Sequence, residues 1–238
     1  MSLSHAEMKA GRALDHLEDL KRELQTYYDA EPCAITRYQR HDVGLRILRI
    51  DFKDVPDRTY LLVGDFAHNL RASLDYVVYS LVTKTTGKVP GASVQWPVQE
   101  VQNAGAFSRQ TKGLPANAVD IVEKLQPYSN SNPKDHPLWQ LHKLDIIDKH
   151  HRIAINQNAF NVACPAFSRR AGHTLNTGDN YVEFSFPIYG PVVDIHYNPN
   201  PDIEFGAAED SVFVKPARLE EIHKFVVCDV IPQFRQFF

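Results

Sequence analysis

The sequence contains only three cysteines among its 238 residues, and they lie far apart along the chain. No C-x-x-C pair occurs, so the sequence supplies neither a disulfide framework nor a thiolate zinc site. No apolar run approaches the ~18 residues of a membrane span, and the first residues lack the apolar centre of a signal peptide. We therefore expect a protein of the reducing cytoplasm that has no membrane partner.

The motifs of common nucleotide and hydrolase sites are also missing. The sequence has no G-x-G-x-x-G, G-x-x-x-x-G-K-[ST], H-E-x-x-H or G-x-S-x-G. These absences disfavour dinucleotide enzymes, P-loop nucleotide hydrolases, zinc proteases and α/β-hydrolases. The formal net charge of −3 argues against a globally basic nucleic-acid-binding protein, although a local basic groove is compatible with that value.

Helical patterns dominate the first two thirds of the chain. Apolar residues recur at three- and four-residue steps near the start, at Leu14, Leu17, Leu20, Leu24 and Tyr27. Capping residues and glycines mark the ends of the later segments. The predicted helices cover about residues 6–28, 57–86, 99–111, 116–125 and 136–152.

Short β-rich segments make up most of the remaining sequence. A hairpin is predicted over residues 33–53, with the polar stretch RHDVG at its turn. After residue 152, aromatic or β-branched runs alternate with Asn, Gly, Pro and Asp, which is typical of an antiparallel sheet. These runs cover residues 153–163, 181–189, 192–197, 202–205 and 211–214, and a last helix is predicted over about 216–231.

The order of the elements predicts an α+β fold, because helices mostly come first and strands mostly second. We expect residues 1–152 to form a helical core that carries the hairpin at 33–53. Residues 153–238 should form an antiparallel β-rich region with a C-terminal helix. We expect the two regions to pack as one unit.

The predicted central helix, about residues 57–86, has two different faces. At about 100° per residue, one side is apolar and predicts a core face, with Phe66, Leu70, Leu74, Val77 and Leu81. The other side carries Asp65, His68, Asn69, Arg71, Asp75, Tyr76 and Tyr79. Neither Lys nor Glu occurs between residues 60 and 83, although an ordinary solvated face is rich in both. The residue types present suit fixed hydrogen bonds in a semi-buried cleft.

Two interpretations of this polar face are open. In the first, it is a structural network in which Asp65 bonds His68 and Asn69, and Arg71 pairs with Asp75. Each such pair contributes only about 0.2–0.5 kcal/mol when it is exposed. In the second, Arg71 binds a phosphate or another anion through its planar guanidinium group. His68 then transfers a proton, since an unperturbed imidazole has a pKa near 6.5.

The predicted helix over residues 136–152 offers partners for that face. His142, Asp145 and Asp148 are spaced by three residues, and this spacing can place metal ligands on one helical face. Lys149 and Arg152 share the face, however, and two cations would repel a divalent ion. We therefore expect no metal. Asp145, Asp148 or Lys149 would instead orient the Arg and the His of the central helix, or form a buried ion-pair network that fixes helix packing.

Three stretches resemble a widespread family of uncharacterised bacterial and phage proteins. They are GDFAHNLRASLDYVVYSLV, LQPY at residues 125–128, and PLWQLHKLDIIDKHHRI at 137–153. Helices of that family carry a G-D-x-x-H-N-L-R-x-x-L-D signature and a later L-D-x-x-D-K-H-R. The similarity covers about residues 8–155, and the later sheet matches only loosely.

The first signature also resembles, more distantly, the Arg-x4-6-His helix of HEPN domains. These are all-helical modules of toxins and defence ribonucleases, in which the Arg and the His of two subunits meet across a dimer and cleave RNA without a metal ion. Arg71 matches the Arg. Tyr76 stands where the His is expected, and His68 lies one turn before Arg71. The resemblance implies a HEPN-like helix pair in the core and a homodimer.

Three functional hypotheses follow. The first is a HEPN-like metal-independent endoribonuclease, or a toxin or defence factor descended from one, with His68, Arg71 and Tyr76 as catalytic residues. The second is a non-catalytic module that binds an anion or a partner at the same face, and the third is a purely structural homodimer interface. The expected partner is RNA or another anionic ligand, and no cofactor is expected. The predicted binding residues are Asp65, Asn69, Asp75, Tyr79, Asp145, Asp148 and Lys149.

Overall fold

A computed structural model describes residues 3–158, 174–178, 180–190, 202–207 and 212–238. Its fold is α+β, as the order of predicted elements indicates. The predicted strand at 192–197 and the end of the one at 153–163 lie outside the described residues. Within the described ranges, none of the helices is both long enough and apolar enough to cross a membrane.

The helical part of the chain follows the predicted pattern closely. The long helices begin and end within a few residues of their predicted bounds. Short 3-10 helices at Pro127–Ser129 and Pro133–Asp135 precede the fifth α-helix. The α-helices are α1 (Leu3–Asp29), α2 (Arg58–Thr86), α3 (Ala104–Gln110), α4 (Ala116–Lys124), α5 (Pro137–His150) and α6 (Pro216–Lys224).

The end of the chain continues past its predicted stop. After α6, residues Phe225–Val230 form a π-helix and Ile231–Phe237 form a 3-10 helix. The prediction that the helix stops near Pro232 is therefore wrong. Proline lacks a backbone N–H but is tolerated in the first turn of a helix, so the chain changes helix type there and remains helical.

The buried stripe of α1 differs from the predicted one at a single position. Leu14 is exposed, whereas its neighbour Ala13 is fully buried. Ala13 lies one turn before Leu17, so it continues the line of buried residues, while Leu14 falls about 100° away from it. The buried apolar residues of α1 are Leu3, Ala6, Ala10, Ala13, Leu17, Leu20, Leu24 and Tyr27.

The strands form two sheets. The first has the order β1-β2-β5-β4, with antiparallel neighbours, and the second has the order β3-β6-β7. The predicted hairpin is thus joined to a later strand, because β2 pairs with β5 from Leu45 opposite Pro187 to Asp51 opposite Tyr181. The strands are β1 (Cys33–Arg40), β2 (Leu45–Phe52), β3 (Ala154–Asn158), β4 (Thr174–Gly178), β5 (Tyr181–Pro187), β6 (Asp202–Ala207) and β7 (Val212–Val214).

The register of the first sheet explains its core. Leu48 of β2 lies opposite Phe184 of β5, and both side chains are buried together with Phe186. Side chains two residues apart in a strand point to the same face, so Ile35 and Val182 join the same cluster. One face of this sheet therefore carries an apolar cluster.

The chain divides into two compact units that interleave along the sequence. One consists of residues 1–21, 58–156 and 204–238, and the other of residues 22–57 and 157–203. All the predicted site residues belong to the first unit. The predicted division of the chain after residue 152 stays a prediction.

Candidate functional site

Helix α2 carries the candidate site on the side opposite its apolar core face. Phe66, Leu70, Leu74 and Val77 are fully buried, as the periodicity predicts. Parts of the polar side are buried too, including Asn69 and Arg71. The semi-buried environment that the residue types suggest is therefore present along part of this face.

Arg71 is held in a closed set of hydrogen bonds. Its Nη1 donates to Oδ1 of Asp75 at 2.8 Å, and its Nη2 donates to the carbonyl oxygen of Trp96 at 2.7 Å. The backbone N–H of Trp96 donates to the same Asp75 oxygen at 2.9 Å. Arg71 and Asp75 thereby fix the extended segment around Trp96 against α2.

The burial of Arg71 bears on its predicted anion-binding role. The residue is only 4% exposed, and the carboxylate of Asp75 offsets its charge. Removing the guanidinium would leave the half-buried Asp75 carboxylate and the Trp96 carbonyl oxygen without this donor, which typically costs about 1–3 kcal/mol. The contacts of Arg71 are those of a residue that positions the Trp96 segment, and phosphate binding by Arg71 stays a prediction.

His68 faces α5 and approaches Asp145. Its Nδ1 lies 3.4 Å from Oδ1 of Asp145, and its side chain is 52% exposed. Asp145 is 3% exposed, and its other oxygen, Oδ2, accepts a hydrogen bond from Nζ of Lys149 at 2.6 Å. Helix α5 therefore contributes two predicted residues, Asp145 and Lys149, beside the imidazole of His68.

Asp65 and Asn69 face α1 instead of orienting the imidazole. The side-chain amide of Asn69 donates to the carbonyl oxygen of Asp65 at 2.8 Å, and its oxygen accepts from Lys9 at 3.1 Å. The Asp65 carboxylate lies 3.8 Å from Nδ1 of His16. Neither Lys9 nor His16 is predicted from the sequence, since only the packing of α1 brings them to this face.

Asp148 of α5 lies against Gly64 of α2. A Cβ atom added to Gly64 would lie 2.5 Å from Cγ of Asp148, so the carboxylate occupies the space above the glycine. Burial raises the pKa of Asp148, and the carboxylates of Asp65 and Asp145 raise it further. Negative charge is therefore concentrated where the two helices meet.

The environment of His142 is one that the sequence does not reveal. Its Nδ1 is buried and has no hydrogen-bond partner among the described residues. Burial, together with the nearby charge of Arg71, lowers the pKa of His142 to about 4. Its spacing of three residues from Asp145 is the only sequence signal. The described residues contain no group of three or more His, Cys, Asp or Glu that could hold a metal ion.

The two tyrosines of α2 lie further along the helix. Tyr76 and Tyr79 are both partly buried. Eight residues separate Tyr76 from His68, a rise of about 12 Å along the helix axis. The structure therefore does not bring these two predicted catalytic residues together within one protomer, and the catalytic role of Tyr76 stays a prediction.

Comparisons with protein-family models, with curated proteins and with solved structures find no match to this chain. The bacterial and phage family resemblance and the HEPN-like assignment therefore stay predictions.

Proposed function

We propose that the chain is a metal-independent, nuclease-like enzyme in which His68 transfers the proton. The observation that supports this proposal is the buried Asp145 carboxylate, whose Oδ1 lies 3.4 Å from Nδ1 of the half-exposed imidazole. A histidine beside a carboxylate is the usual arrangement of a catalytic base with the group that orients it.

The arrangement gives the two ring nitrogens of His68 different tasks. A carboxylate next to Nδ1 favours the tautomer that carries its hydrogen on that nitrogen. Nε2 is then the nitrogen that accepts or donates a proton in the exposed part of the site. Asp145 is suited to this positioning role because it is buried and Lys149 holds its second oxygen.

RNA is the substrate class that the HEPN-like resemblance implies. Arg71 is engaged by Asp75 and Trp96, so in this proposal it positions the neighbouring segment. Proton transfer by one positioned side chain contributes about 10²–10⁴-fold to a rate. That range sets the decrease in cleavage rate that we expect when the His68 imidazole is removed.

The test is cleavage of a defined single-stranded RNA in the presence of EDTA. We expect cleavage by the unmodified protein, a loss of about 100-fold or more in His68→Ala, and a smaller loss in Asp145→Asn. The matched control is His150→Ala, an exposed histidine at the end of α5, which should retain full activity. RNA that stays intact with the unmodified protein contradicts the proposal, as does undiminished cleavage by His68→Ala.

A second candidate function is a non-catalytic module that binds a partner. The observation that favours it is the negative charge of the face: burial raises the pKa of Asp148, and the neighbouring carboxylates of Asp65 and Asp145 raise it further. Such a face would bind a positively charged group of a partner more readily than an anion. Intact RNA together with binding of a lysine-rich peptide, weakened in Asp148→Asn, would favour this function over the enzyme.

A further inference from the structure

The beginning of α5 is capped by the imidazole ring of His136. Its Nδ1 accepts a hydrogen bond from the backbone N–H of Leu138 at 3.2 Å. The carbonyl oxygen of His136 accepts from the backbone N–H groups of Trp139 and Gln140, at 3.0 and 3.1 Å. The first N–H groups of a helix lack partners in a preceding turn, and Pro137 at the first position has no N–H. A single residue therefore satisfies the N–H groups of the first turn of α5.

The capped end of α5 is joined to α6 by Arg218. Its Nε donates to Oε1 of Gln140 at 2.8 Å, and its Nη2 donates to the carbonyl oxygen of Asp135, the residue before the cap. The imidazole of His136 is half-buried, and the ring of Phe225 packs against it, with 5.5 Å between the centroids and 87° between the planes. The capping ring therefore lies where the C-terminal helices meet the start of α5.

We propose that His136 is a pH-sensitive cap, which holds the first turn of α5 when it is neutral and releases that turn when it is protonated. An imidazole nitrogen accepts a hydrogen bond only when it carries no hydrogen, so the hydrogen of the neutral ring is on Nε2. Protonation adds a hydrogen to Nδ1, and both nitrogens then donate. The N–H of Leu138 loses its acceptor, and a positive charge lies at the positive end of the helix dipole.

The surroundings of the ring oppose its protonation. Burial lowers the pKa of His136, and the positive charge of Arg218 lowers it further. The other charged side chains beside the cap each have a partner, and they are Lys134, Asp135 and Glu221. The pKa in the folded chain is thus below the unfolded value near 6.5. The stabilisation by the cap is therefore complete above that pH and is lost as the pH falls through the lowered pKa.

The experiment follows two NMR signals through a pH titration, the ring of His136 and the backbone amide of Leu138. We expect the ring to titrate with a midpoint below about 6.5. The amide proton of Leu138 should move upfield with the same midpoint, because its hydrogen bond is lost. Protection of the Trp139 and Gln140 amides against hydrogen exchange should decrease about fivefold across the transition, which is the size typical of a lost N-cap.

Three variants of histidines in this helix separate the cap from other titrating groups. His136→Asn keeps a side-chain acceptor but does not titrate, so the Leu138 amide should stay in place over the same pH range. His136→Ala has no acceptor at any pH and should show the lower protection already at neutral pH. His150→Ala removes an exposed histidine from the other end of α5 and should leave the titration of the Leu138 amide unchanged.

The contribution of the neighbouring charge is tested separately. Arg218→Met should move the His136 midpoint to higher pH, whereas Lys224→Met, which removes an exposed charge from the end of α6, should leave it in place.

The proposal has two outcomes that overturn it. One is a Leu138 amide that stays in place while the His136 ring titrates, and the other is a Leu138 amide that titrates in His136→Asn as it does in the unmodified protein. If His136→Ala fails to fold, these two results still decide the question. Neither of them depends on RNA cleavage, so this proposal and the proposed function can fail separately.

Discussion

Replacing Gly64 by alanine tests the close approach of α5 to α2. Glycine in a helix interior is about 1 kcal/mol less favourable than alanine, so Gly64→Ala would ordinarily stabilise the protein. Here the added Cβ would lie 2.5 Å from Cγ of Asp148. Overpacking of this kind typically costs about 1–3 kcal/mol. We therefore expect Gly64→Ala to lower the free energy of unfolding, by up to about 2 kcal/mol.

A double-mutant cycle with Asp148→Ala separates the two contributions. When the carboxylate is absent, Gly64→Ala should raise the free energy of unfolding by about 1 kcal/mol, because only the helix preference remains. The coupling between the two positions should accordingly be about 1–3 kcal/mol. Gly11→Ala in α1 is the matched control, since a Cβ there would meet nothing within 4 Å, and it should be stabilising.

The assay is urea-induced unfolding, supported by thermal melts in which 1 kcal/mol corresponds to a shift of about 2–4 °C for a chain of this size. The cycle has a clear negative outcome. If Gly64→Ala changes stability equally with and without Asp148, the two helices do not meet at this point. The position of Asp145 beside His68 would then lose its structural basis.

Two further predictions concern Arg71 and His142. Arg71→Met leaves the half-buried Asp75 carboxylate and the Trp96 carbonyl oxygen without their donor and should lower the free energy of unfolding by about 1–3 kcal/mol, whereas Arg109→Met on the exposed side of α3 should change it little. A loss of RNA cleavage with unchanged urea unfolding would instead make Arg71 a phosphate-binding residue. Burial lowers the pKa of His142 to about 4, below its usual value near 6.5. Between these pH values the unfolded chain binds more protons than the folded one, so the free energy of unfolding falls as the pH falls. In His142→Gln, the decrease in the free energy of unfolding should be smaller by up to about 1.4 kcal/mol per pH unit. The free energy is measured by urea unfolding at several pH values, and an equal dependence on pH in both proteins would contradict this prediction.

Much of the helical architecture is predictable because its signals are local. The spacing of Phe66, Leu70 and Leu74 identifies the core face of α2, and the structure confirms their burial. The α+β class likewise follows from the order of periodic and alternating segments. In α1, however, Ala13 is buried where Leu14 is predicted to be, which shows the limit of prediction from periodicity. Both residues fit an amphipathic pattern, and only the neighbouring elements decide which of them is covered.

The candidate site is less predictable than the helices that carry it. The sequence places Asp65, His68 and Arg71 on one face of α2, and their chemistry alone suggests that they cooperate. In the structure they have different partners, because Asp65 faces His16, His68 faces Asp145, and Arg71 holds the Trp96 segment. Side chains three residues apart point in directions that differ by about 60°, so neighbouring elements can engage each of them separately.

The sequence by itself determined the long helices, the class of the fold and the polar composition of α2, since these depend on periodicity and residue type within one segment. Only the tertiary structure decided that the Asp148 carboxylate occupies the space above Gly64 and that Asp145 lies between His68 and Lys149. These relations join residues about 80 positions apart in the chain. They depend on how close two helices approach and on their rotation about their axes, and neither quantity is recorded in the sequence of either helix.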